Sequence, residues 1–191
     1  MVVKNLVAAL VTGLFFSVAG GSAPAAAQQP KSLAADSVFM QRASSAGLLQ
    51  VKLGRLAEKK GTSPAVVEFG KRMVTDYSKA NEELKAAAKV AGYPGPALLR
   101  QDQQTFDRFQ GKSRSSFDKA YMAEMVKQHR EEVQLFQGES AGGRVQSLKQ
   151  LASRMLPEME QRLSLATETA GSVGVDVTAS SAAASERSGT Y

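Results

Sequence analysis

The stretch SPAVVEFGKRMVTDYSKANEELKAAAKVAG, residues 63–92, decides the fold. Its apolar residues, Val66, Phe69, Met73, Tyr77, Ala80, Leu84, Ala87 and Ala91, recur in steps of three and four. That is the period of a helix with one buried stripe. Ser63 stands at a capping position, Pro64 fits the first helical position, and Gly92 closes the segment. Working backward, Asp36 reads as the N-cap of a helix running to about Lys60. Phe39, Ala43, Ala46, Leu49, Leu53 and Leu56 face inward, and Gly61 is its left-handed stop. So short a link between the two helices predicts an antiparallel hairpin.

Working forward, a third long helix starts near Ser115 or Ser116. Its stripe is Phe117, Tyr121, Met125, His129, Val133 or Glu132, and Phe136, and it ends at Gly138, Gly142 and Gly143. A fourth carries Val145, Leu148, Leu151, Met155, Met159, Leu163 and Ala166, with Pro157 inside it, where a lost backbone bond predicts a kink. These two form a second hairpin. Residues 92–114 join the hairpins and contain a short amphipathic piece, Leu98 to Phe109. Extended chain covers ~3.3 Å per residue against ~1.5 Å in a helix, so this connector can run the length of a helix. The expectation is an all-α, ferritin-like four-helix bundle, two antiparallel hairpins joined by a long crossover connector with a short helix. A simple up-down bundle is the alternative.

The ends of the chain read differently. Residues 1–27 hold one charge, Lys4, then an apolar run from Leu6 to Ala19 and a small-residue stretch ending Ala25-Ala26-Ala27. This is the pattern of a secretory signal peptide, with the A-x-A spacing placing the cut before Gln28. The apolar core is shorter than the ~20 residues of a spanning helix, and no later segment could span a membrane. Export to a bacterial periplasm or beyond the cell is the expected localisation. Residues 28–35 are expected to be a flexible lead-in, and 36–170 the helical domain. Residues 171–191, rich in Ser, Ala, Gly and Thr, lack an apolar period that could offset their ordering entropy and are expected to be disordered.

Composition excludes much chemistry. The 191 residues include no Cys and one His, which removes thiol nucleophiles, CxxC redox pairs, zinc ribbons and iron-sulfur sites. The net charge of +6 does not signal nucleic acid, because basic residues interleave with acids, as in Glu58-Lys59-Lys60. The denser stretch Arg108 to Arg114, with Lys112, reads as a solvated loop, with contact to anionic lipid or polysaccharide as the alternative. Met73, Met125, Met155 and Met159 sit at core spacing and read as packing rather than a copper site. Glu82-Glu83 and Glu131-Glu132 read as solvated faces.

Taken together, Ala46 to Ala57, Phe69 to Tyr77, Ala80-Asn81-Glu82-Glu83-Leu84, Phe117 to Tyr121, Met125-Val126 with His129, and Leu156-Pro157 resemble a known family. It is domain-of-unknown-function family 4142, secreted bacterial proteins often described as outer-membrane proteins with a ferritin-like helical bundle. The resemblance spans Asp36 to Thr169 and implies a fold and an export route rather than an activity. The family pattern has histidines where this chain carries Tyr77 and Arg162, and an acid where it carries Gln50; Asp76 and His129 match the pattern.

No Glu-x-x-His turn exists, so the di-iron carboxylate centre of such bundles has no ligand set here. A single-metal site from His129 with Asp76 or Glu132 stays open. His129 otherwise reads as a half-buried residue hydrogen-bonded across the helices to Tyr77 or a carboxylate. A pH switch titrating near ~6.5 is the other possibility. The sequence therefore points to an exported non-catalytic protein without a cofactor, an interaction or stress-associated protein whose partner is an envelope protein or a second copy. The alternative is a degenerate ferritin-like metal or small-ligand binder using His129 and Asp76.

Overall fold

The computed structural model describes residues 31–177. Within them the chain is all-α: α1 Lys31–Lys60, α2 Pro64–Ala91, α3 Arg100–Gln110, α4 Phe117–Gly142 and α5 Gln146–Ser172, with a 3-10 turn at Arg114–Ser116. The expected leader and residues 178–191 lie outside the described residues. No described helix is long and apolar enough to cross a membrane.

α1 packs along α2 and α4 along α5, and the hairpins meet through α1 against α4 and α2 against α5. Thr62, just past α1, touches Asp118 at the start of α4, while Asp36 near the start of α1 touches Arg144 just past α4. The two helices are therefore antiparallel. The connector climbs back along α1: the Leu99 amide opens α3 on Ser45 Oγ at 2.8 Å, and its last carbonyls reach Lys60.

The stripes read from the sequence assemble into two apolar clusters. One is built around Leu53, Phe69, Met73, Phe117 and Tyr121, the other around Phe39, Leu84, Phe136 and Leu148. Met73, Met125, Met155 and Met159 are all buried in them, as their spacing indicated. α1 and α2 come closest at two glycines. A Cβ on Gly70 would lie 2.7 Å from Ala57 Cβ and 2.8 Å from the Gly54 carbonyl oxygen, so only hydrogen fits between the backbones.

Helix ends are satisfied from across the fold. Ser63 occupies the N-cap of α2 but its side chain makes no capping bond. Asp118 of α4 does this instead, accepting from the Ser63 amide at 2.7 Å, the Thr62 amide at 3.1 Å and the Thr62 hydroxyl at 2.6 Å. Asp36 corrects its expected role in the same way: α1 already begins at Lys31, and the buried Asp36 carboxylate caps α5, accepting from the Arg144 and Val145 amides at 2.9 and 3.1 Å. Lys60 donates to the carbonyls of Phe109, Gln110 and Lys112, closing α3. Removing a cap costs roughly 0.5–2 kcal/mol. Asp118→Ala, which strips three such bonds at once, is expected at the upper end of that range, read as a lowered urea midpoint with an unchanged slope.

Three boundaries differ from expectation. Residues 31–35, expected to be flexible, are helical. Gly61 ends α1 without a left-handed backbone; among the described glycines only Gly92 and Gly174 have positive φ, both 73°. The tail is ordered through residue 177: Gly174 reverses the chain, the Val175 amide bonds to the Ala170 carbonyl at 2.9 Å, and Val173, Val175 and Val177 pack on the core. Burial of three valines supplies what the missing helical period does not.

Candidate functional site

α4 turns an unusually broad face inward, because His129, Glu132, Val133, Phe136 and Glu139 are all buried. Glu132, which the sequence offered both as an inward stripe position and as part of a solvated face, is inward, 4% exposed. Its Oε2 accepts a short hydrogen bond from the Tyr77 hydroxyl of α2, and its Oε1 meets no donor at hydrogen-bonding geometry, although the Gln50 amide stands near enough to favour the charged carboxylate. Burial pushes the Glu132 carboxyl up to about 7, against the opposing pull of the Tyr77 bond and the Arg162 charge. The same burial, together with the Glu132 charge, raises Tyr77 well above its ordinary value.

His129 does not bond across the helices as expected. Its Nδ1 donates to the Met125 carbonyl of its own helix at 2.7 Å, which leaves Nε2 as a buried acceptor without a partner. Tyr77 and Phe69 instead meet the imidazole edge-on, with ring centroids 5.9 and 6.1 Å away. Burial lowers His129 to about 4, and the nearby Arg162 charge acts in the same direction. The imidazole is therefore neutral near pH 6.5, which moves the expected titration there away from histidine and onto carboxyls.

Arg162 of α5, where the resemblance implies a histidine, is also buried. Its guanidinium lies 4.9 Å over the Tyr77 ring and reaches Glu158 at 2.9 Å and Asp76 at 3.7 Å. Arg72 also holds Asp76, at 3.1 Å. Asp76 is thus engaged by two arginines in a small pocket on the α2–α5 side, whereas Glu132 faces the α1–α4 side. Gln50 of α1 is fully buried and donates to Gln128 at 2.9 Å. The family-motif positions Gln50, Tyr77, His129 and Arg162 are therefore all buried, and Tyr77 joins α2 to α4 and α5. Among the described residues, no three His, Cys, Asp or Glu side chains stand close enough to hold a metal ion.

In front of Glu132 an open cleft of about 1060 Å³ follows the α1–α4 seam. α3 covers one end through Gln101 and Asp102, and Gly142 and Gly143 close the other. Glu139, two turns past Glu132, also lines it, 5% exposed and with Oε1 unpartnered. Burial, together with the facing Asp36 carboxylate, pushes Glu139 up to about 7. Sequence reasoning missed Glu139, although it stands three residues past Phe136 and seven past Glu132. Extending the stripe by one turn would have reached it.

The fold and the site define an all-α protein with a polar cluster inside its helices and an acidic cleft along one seam. The chain belongs to the family described as "Domain of unknown function (DUF4142)", whose model matches residues 21–169. No curated protein and no solved structure matches it.

Proposed function

We propose that the protein acts in the bacterial periplasm or cell envelope as a non-catalytic, ferritin-like four-helix bundle that binds a partner in the α1–α4 cleft. The leader pattern at 1–27 supports export. Two antiparallel hairpins with a connector returning along α1 support the bundle. The observation that carries the binding role is the cleft itself, floored by two buried carboxyls with unpartnered oxygens in a chain of net charge +6. A cleft opposite in sign to its protein selects cationic groups on what it binds.

The chain has no cysteine, so a single thiol can be placed at will. Val38, 49% exposed, lines the cleft; Val90, 80% exposed, lies outside it near the end of α2. A photo-crosslinker on V38C is expected to capture an envelope component that the same probe on V90C does not, with the mature chain beginning at Gln28 in the periplasmic or outer-membrane fraction. Equal capture at both positions, or a cytoplasmic chain retaining its leader, would refute this reading.

One observation favours a second reading. His129 Nε2 and Glu132 Oε1 stand three residues apart on one helix, and both lack partners. A metal or small ligand between them is the alternative, without Asp76, and metal analysis of the purified chain decides it.

A further inference from the structure

The two carboxyls of the cleft are related by the helix. Glu132 and Glu139 are seven residues apart on α4, so at ~1.5 Å per residue their backbones lie about 10 Å apart on one face. Each side chain is more than nine-tenths buried, each lines the cleft, and each keeps one oxygen without a hydrogen bond. Leaving such an oxygen unpaired costs on the order of 1–3 kcal/mol, which a donor arriving in the cleft would recover.

Most of the other charged groups of the cleft are paired within the fold. Asp102 of α3 accepts from the Ser45 hydroxyl, Glu124 pairs with Arg108 at 2.8 Å, and Lys127 lies 3.9 Å from Glu131. Arg42 stands on the α1 wall, and Asp36 faces Glu139 while capping α5. Neither Glu132 nor Glu139 makes an ion pair among the described residues, although Arg162 acts on Glu132 from behind. Between the two carboxyls the cleft is lined by Leu135 on α4 and by Val38 and Phe39 on α1, beside Gln134 and Arg42.

We infer that the cleft binds a linear aliphatic polyammonium ion, one terminal ammonium on Glu132, the other on Glu139, and the methylene chain along Leu135, Val38 and Phe39. This rests on the cleft being the binding face and adds the chemical class of the ligand. Both carboxyls are raised toward neutrality by burial, so an arriving cation restores their charge and displaces protons.

The test is calorimetric titration of the mature chain with spermidine at pH 7 and low salt, in two buffers of different ionisation enthalpy. Butylamine, whose single ammonium cannot bridge the two carboxyls, and Mg²⁺ are the controls. Spermidine is expected to bind at one site, butylamine about tenfold or more weaker, with proton release seen as a buffer-dependent heat. E132Q and E139Q are each expected to weaken spermidine by about tenfold and abolish their share of the proton release. Both are uncharged near-isosteres, and retained helicity shows that the fold is intact. No spermidine binding, equal binding of Mg²⁺, or indifference to both substitutions would overturn the inference. If it falls while V38C still captures a component that V90C does not, the cleft remains the binding face and only the ligand class is wrong.

Discussion

Glu132→Gln is expected to stabilise the protein at pH 8 by on the order of 3 kcal/mol while changing little near pH 4. Folding raises the Glu132 carboxyl from about 4.5 to about 7. Between those values the unfolded chain has released the proton that the folded chain still holds, so stability falls as pH rises through the window and levels off above it. Glutamine stays neutral throughout and can still accept from the Tyr77 hydroxyl. His129 works in the opposite sense. Folding lowers it from 6.5 to about 4, so its contribution is complete above 6.5 and is lost as pH falls toward 4. Thermal melts of wild type and variant across pH 4–8 should diverge as pH rises, with the variant higher. Parallel curves would mean that Glu132 is hydrated in solution.

Gly70→Leu, together with Gly54→Leu opposite it, is expected to be among the most damaging single substitutions on the α1–α2 face. The first atom it adds already meets Ala57 Cβ at 2.7 Å and backbone at 2.8 Å, and neither neighbour can swing away as a long side chain could. Overpacking of this kind costs roughly 1–3 kcal/mol, and occasionally more. The position lies between two rigid helices, which puts Gly70→Leu at the top of the range, measured as a drop in the urea midpoint. Gly138→Leu is the control: a Cβ there meets nothing within 4 Å.

The helices were legible because each stripe keeps its period over many turns. Met73, Tyr77, Ala80 and Leu84 are buried in the order in which they were read. The hairpin pairing followed from the brevity of the link before Ser63. What was not legible was the interior chemistry. Periodicity assigns a face to an apolar residue, but Glu132 and Glu139 share that face while carrying the polarity of the other one. Tyr77 was read as a stripe residue, and its bond to Glu132 joins residues 55 positions apart, a separation at which no local rule operates. Residues 171–177 were misread for a related reason: three half-buried valines pack on the core without a helical repeat to announce them.

The long-range caps have a consequence for how the molecule comes apart. Asp36 closes α5 across 108 and 109 positions of sequence, and Asp118 closes α2 across 55 and 56. Neither hairpin carries within itself the carboxylate that holds the start of its second helix. A chain in which only α1 and α2 had formed would leave the Thr62 and Ser63 amides without their acceptor until α4 packed against them. Each hairpin thus waits on the other to finish its helix starts, and a truncated copy offers frayed ends to proteolysis.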